Sequence, residues 1–162
     1  MKFVHSGQPN PNTDAILSTL NFACETDDVG VSVNASLTEP RLSIDEDHVT
    51  LHGWAPIFVY VSRLAHTLPS DAFNMALVVE MLRFVDNVSL GVLEEQLCGQ
   101  TWLCSCFDES TAADFLCISR LRHLDVSATE FPRLREYMDQ NPAHATSMYH
   151  TDTSVNWGCV VS

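Results

Sequence analysis

The sequence predicts an α/β half over residues 1–65 followed by an all-helical half over residues 70–142, with residues 143–162 as a tail. Three observations predict it. Alternating apolar runs are confined to the first 65 residues. Proline and serine at Pro69 and Ser70 mark a linker, after which strand propensity disappears and helical periodicity takes over. Finally, Ser110 to Ile118 combines a capping box with a helix that is apolar over most of its circumference, so that helix must be central. In the box, Thr111 accepts from the amide three residues on, and Asp114 reaches back to the Thr111 amide.

Taken in order, Lys2 to His5 reads as a strand, and a turn cluster from Ser6 to Asn12 leads to a helix that Asn12 or Thr13 caps. Ala15, Ile16, Leu20, Ala23 and Cys24 mark one face of it. Val29 to Val33 alternates as a strand, completing β-α-β. Glu39 to Ile44, opened by Pro40, and Val49 to Leu51 flank the acidic turn Asp45 to Asp47 and predict a hairpin. Trp54 to Leu64 predicts a helix, with Pro56 tolerated in its first turn. Ser70 and Asp71 cap a long helix carrying Phe73, Leu77, Val78, Met81, Leu82, Phe84 and Val85. Leu90 to Leu97 is a shorter helix with Glu94 and Glu95 toward solvent and Gly99 as its stop. Pro132 starts the last helix, which Asn141 and Pro142 end. From Ala143 to Gly158 the chain is polar, unpatterned and without lysine or arginine, as a flexible tail is.

With 46% hydrophobic residues over 162 positions the chain has enough apolar surface for a core. The net charge of −13, from 21 acids against 8 bases of which only Lys2 is a lysine, excludes long-range attraction to nucleic acid or to an anionic bilayer. No apolar run approaches the roughly 20 residues of a membrane span, and Met1 to His5 lacks the apolar core of a signal peptide, so the expected compartment is the cytosol. The 6 cysteines are too sparse for a disulfide framework. Cys104-Ser105-Cys106 is a single knuckle with no second pair nearby, so no metal or other cofactor is expected.

The last four residues, Cys159-Val160-Val161-Ser162, form a cysteine, two aliphatics and serine at the C-terminus, which is the prenylation signal of farnesyl type. A single prenyl chain anchors only marginally. The last base before it is Arg135, so the expected attachment to the cytosolic face of a membrane is reversible. Four of the bases, Arg120, Arg122, Arg133 and Arg135, fall close together in sequence and suggest a local cationic patch.

The order β-α-β, proline-led hairpin, helix, linker and helical half resembles the glutathione-transferase fold over residues 1 to about 142. The motifs that carry the resemblance are Gly99-Gln100-Thr101-Trp102-Leu103, then Ser110-Thr111-Ala112-Ala113-Asp114, then Phe131-Pro132-Arg133-Leu134. It implies a thioredoxin-like β-α-β-β-α N-terminal half and a reduced, transferase-type C-terminal helical half. It further implies a cis Glu39–Pro40 bond that exposes backbone groups to a peptide-like ligand. Gly53 and Trp54 stand where transferases carry an acid or glutamine followed by serine, the pair that holds the γ-glutamyl carboxylate of glutathione. Pro56 removes a further amide from that helix start. Ser6 is the one hydroxyl near the thiol-activating position and also suits a turn. No catalytic residue is therefore assigned. The resemblance points instead to the short non-catalytic domains associated with aminoacyl-tRNA synthetases and elongation factors. On that reading Arg133 and Arg135 pair with protein partners in a translation-associated complex. The alternative is a minimal glutathione transferase acting on small electrophiles.

Overall fold

The computed structural model describes residues 1–23, 29–44 and 49–140. The proposed tail, Cys159 and the turn at Asp45 to Asp47 lie outside the described residues. The N-terminal half consists of β1 (Lys2–His5), α1 (Pro11–Ala23), β2 (Gly30–Val33), β3 (Arg41–Ile44), β4 (Val49–His52) and α2 (Trp54–Leu64). The helical half consists of α3 (Ala72–Asn87), α4 (Leu90–Gln96), α5 (Ala112–Arg122) and α6 (Pro132–Gln140). The hairpin contributes two strands, so the order is β-α-β-β-β-α rather than β-α-β-β-α.

The sheet order is β2-β1-β3-β4. β1 runs parallel to β2 and antiparallel to β3, and β3 pairs antiparallel with β4. This is the mixed sheet of a thioredoxin-like half. Phe3, Leu42 and Ile44 turn from it into the core, where they meet Ile16, Leu20, Ile57 and Val61. Helix α1 starts two or three residues earlier than a cap at Asn12 or Thr13 implies. Pro11 takes the first helical position, where its missing N–H costs nothing, and the cap is Asn10, whose Oδ1 accepts from the Asn12 amide at 2.9 Å.

Helix α5 is the central element the sequence anticipates. Nine of its eleven residues, Ala112 to Ser119 and Leu121, are buried, and it packs on α1 from one side and α3 from the other. Its start is tied to the linker after α2 by the Ala112 amide, which donates to the Thr67 carbonyl at 3.0 Å. His123 just past its end lies 2.6 Å from Asp14 of α1.

The capping box is in place, but Asp114 carries most of it. The Asp114 amide donates to the Thr111 carbonyl at 2.9 Å. The Thr111 hydroxyl is thereby left to donate to Asp114 Oδ2 at 3.0 Å, with Cys104 Sγ at 3.7 Å. Oδ2 also accepts from the Thr111 amide at 2.8 Å, while Oδ1 accepts from the Leu103 amide at 2.9 Å and from the Tyr137 hydroxyl at 2.6 Å. One carboxylate, fully buried, thus joins the loop before α5, the start of α5 and the middle of α6. A buried charge is tolerated only when its lone pairs are filled in this way.

The same burial raises three neighbouring acids. Tyr137 is held well above its ordinary value by desolvation and by the Asp114 charge. Burial pushes the Cys104 thiol up to about 11 and also raises Cys117. In the unfolded chain such groups release protons from about pH 8.5 for cysteine and about pH 10 for tyrosine. Above those values the folded state holds more protons than the unfolded one, so stability is complete below them and falls as pH rises. The urea midpoint should be flat near neutrality and decline above about pH 9, with part of the decline removed by Tyr137→Phe. A midpoint that stays constant into the alkaline range would contradict this burial.

Among the described residues no helix is long and apolar enough to cross a membrane.

Candidate functional site

One end of the sheet collects the segments in which the resemblance locates a ligand cleft. The register Val4↔Arg41 and Arg41↔His52 brings the end of β1, the start of β3 and the end of β4 side by side. The Asn34 amide donates to the His5 carbonyl at 2.8 Å and adds the end of β2. His5 and Ser6, Pro40, and Gly53 with Trp54 therefore meet at this edge.

What meets there is largely bonded within the chain itself. The Glu39–Pro40 bond is trans, since no cis peptide occurs among the described residues. This corrects the expected cis bond. The Pro40 carbonyl accepts from the Gly53 amide at 2.9 Å, continuing the β3–β4 ladder by one step. The physical reason for trans is that it is the lower-energy isomer of an X–Pro bond by about 0.5–1 kcal/mol. Gly53 adopts φ +82°, a region that a side chain there would resist, and no side chain caps α2 behind it. With Pro56 lacking an N–H, only the Trp54 and Ala55 amides remain unbonded within the helix at that N-terminus. The Trp54 ring packs toward Phe58 at 6.4 Å instead of opening a polar site.

The loop after β1 is similarly engaged with itself. Ser6 Oγ accepts from the Gln8 amide at 3.3 Å, the turn role the sequence allowed. His5 was not singled out in the sequence, and its position at the end of β1 is the only signal that marks it. Its Nδ1 accepts from the Gly7 amide at 3.2 Å, its ring stacks on Phe3 at 5.6 Å, and burial lowers its pKa against the opposing pull of Asp14. Gly7 has φ +78°, and a Cβ there would come within 2.6 Å of Val33 Cγ1, so the backbone of this loop lies tight against β2.

The second candidate surface is helix α6. Its first turn is capped by Glu94 of α4, which accepts from the Arg133 amide at 3.0 Å and from the Leu134 amide at 2.8 Å. Glu94 is therefore a helix cap rather than half of a solvent-facing pair, because α6 begins with proline and its next amides need an acceptor. The Arg133 and Arg135 side chains are exposed. Arg133 Nη1 lies 3.5 Å from the Glu94 carbonyl, and Arg135 pairs with Asp139 at 3.4 Å. Arg120 instead donates to the Val88 carbonyl at 2.9 Å, and Arg122 is partly buried toward Asp14. The four arginines expected as one patch are engaged at three separate places, and only Arg133 and Arg135 share a surface helix.

Cys104 is buried and Cys106 exposed, and no group of three or more potential metal ligands occurs among the described residues.

No protein-family model matches the sequence, and no curated protein matches it significantly. Solved structures do match. A glutathione S-transferase domain-containing protein from Marinobacter aquaeolei VT8 aligns with TM-score 0.71 at 14% identity over 88% of this chain and 98% of that one. A glutathione S-transferase from Xanthobacter autotrophicus Py2 aligns with TM-score 0.67 at 15% identity over 88% and 92%. A glutathione transferase family member from Pseudomonas fluorescens Pf-5, solved with two glutathione molecules bound, aligns with TM-score 0.66 at 13% identity over 89% and 90%. At these identities the likeness is one of architecture, and the chain has the glutathione-transferase fold.

Proposed function

We propose that this chain is a non-catalytic interaction domain of glutathione-transferase fold, farnesylated at Cys159 and held reversibly at the cytosolic face of a membrane. Its specific setting on this reading is a translation-associated complex. The observation that carries the non-catalytic part is the start of α2, where Pro56 has no N–H and no side chain caps the helix at the edge where a peptide-like ligand would bind. Gly53 and Trp54 add no carboxylate-holding side chain beside it. Partners would pair through α6, where Arg133 and Arg135 stand exposed on a chain of net charge −13. Their present partners are a carbonyl at 3.5 Å and a surface pair at 3.4 Å, the kind of contact worth well under about 1 kcal/mol and readily exchanged.

The test is a pull-down from the native cell with the wild-type chain and with the double variant Arg133→Glu, Arg135→Glu. Loss of acidic partners from a normally folded variant is expected. Retention of every partner would reduce α6 to a solvated face. The second reading, a minimal glutathione transferase acting on small electrophiles, is favoured by the glutathione bound in the Pseudomonas neighbour. It would require the β1–α1 loop with Ser6 to rearrange.

A further inference from the structure

Helix α3 carries more apolar side chains than the core takes up. Only Val78 and Val85 of it are buried. Phe73, Leu77, Met81 and Phe84 recur at i, i+4, i+8 and i+11, which puts them on one stripe. Phe73 is 73% exposed, and the other three are only partly covered. The geometry explains why. Helix α3 has 16 residues and α4 has 7, so at 1.5 Å per residue α4 is about 10 Å long against about 24 Å. Among the described residues α5 is the helix that packs extensively on α3, and the short α4 covers little of it.

The loop from Leu103 to Thr111 lies against the uncovered length without closing over it. Two hollows sit in line between them. One, of about 300 Å³, lies between Asp71 and Asn74 of the α3 start and Phe107 and Glu109 of the loop. The other, of about 240 Å³, lies between Leu77, Met81 and Phe84 and the loop segment Leu103 to Cys106. Together they make a trough along α3 from Asp71 to Phe84, about 20 Å long.

We propose that this trough docks an amphipathic helix with a basic polar face, supplied by a partner protein. A helix of three to four turns matches the length, and its apolar side would cover the stripe as helix-in-groove recognition does. The charge selects the polar face. Glu80 edges the stripe and Asp71 and Glu109 edge the other hollow, while Arg83 is the only lysine or arginine from residue 65 to residue 111. A second copy of this chain would bring the same acidic rim and a further −13 against it, and an anionic bilayer would be repelled as well. The surface is separate from α6, so the proposal stands whether or not Arg133 and Arg135 pair.

The test uses the full chain and a fluorescein-labelled amphipathic helix of about 18 residues built from leucine and lysine, read by anisotropy. Saturable binding that weakens with salt is expected. The variant Phe73→Ala, Met81→Gln should weaken it at least about tenfold, and Glu80→Lys should weaken it and flatten its salt dependence. Val59→Ala, an exposed apolar position on α2, should leave it unchanged. Should the double variant fail to fold, Phe73→Ala alone decides, because that side chain contributes little to the core. Equal binding by the α3 variants, or by a leucine–glutamate helix, would overturn the proposal. So would a concentration-dependent dimer that Phe73→Ala dissolves, which would make a second copy the occupant, or retention on anionic vesicles through the same residues.

Discussion

Asp114→Ala should bring the protein close to unfolding. The carboxylate accepts from two amides and two hydroxyls in a fully buried position, and its removal strands the Leu103 and Thr111 amides and the Tyr137 hydroxyl. Each buried donor left unpaired costs about 1–3 kcal/mol, so the three together cost about 3–9 kcal/mol. A domain of this size has only about 5–15 kcal/mol in total. The capping box by itself suggests about 1 kcal/mol. The larger figure comes from the Leu103 and Tyr137 bonds, which join three elements through one side chain. A urea titration followed by circular dichroism measures it, and a midpoint shifted by no more than an ordinary cap would mean that Tyr137 and Leu103 find other acceptors.

Cys159→Ser should remove the protein from the membrane fraction completely and leave its melting temperature unchanged. The expectation follows from the proposed farnesyl group alone. Burying about 15 carbons at about 0.8 kcal/mol per CH₂ gives a gross gain that immobilisation reduces to marginal, reversible attachment. With no lysine or arginine after Arg135, electrostatics add nothing, so partitioning of the wild type should be nearly insensitive to salt and to anionic lipid. Fractionation with intact-mass measurement checks both parts. An unmodified mass from the native cell, or a serine variant that stays on membranes, would leave a domain without an anchor.

Local signals in the sequence translated well into structure. The strands at Lys2–His5 and Gly30–Val33, the hairpin, the helix opened by Trp54 and the buried α5 all follow from periodicity and from Pro, Gly and Asp punctuation. Their cause lies within a few residues, and so it can be read there. Where a bond spans distance the reading fell short. Glu94 caps α6 across about 40 residues and Tyr137 reaches Asp114 across 23, and nothing local in either helix announces the acceptor. Arg120 and Arg122 lie two positions apart, about 200° around a helix, which is why proximity in sequence did not make a patch. The trans Glu39–Pro40 bond departs from what the resemblance implies, and since the two isomers of an X–Pro bond differ by only about 0.5–1 kcal/mol, Pro40 in the sequence does not by itself set the isomer. The trough on α3 was legible only in part. Its stripe is in the sequence, but its exposure depends on the shortness of α4 and the course of the loop after it.

The central claim is that the sheet edge carrying Pro40, Gly53 and Trp54 no longer accepts the tripeptide thiol for which this fold is named. Isothermal titration calorimetry of the full chain with reduced glutathione tests it directly, because it reads binding whether or not any turnover follows. No saturable heat is expected at any practical concentration, whereas a dissociation constant in the micromolar range would show the edge to be open and would make the protein a minimal transferase.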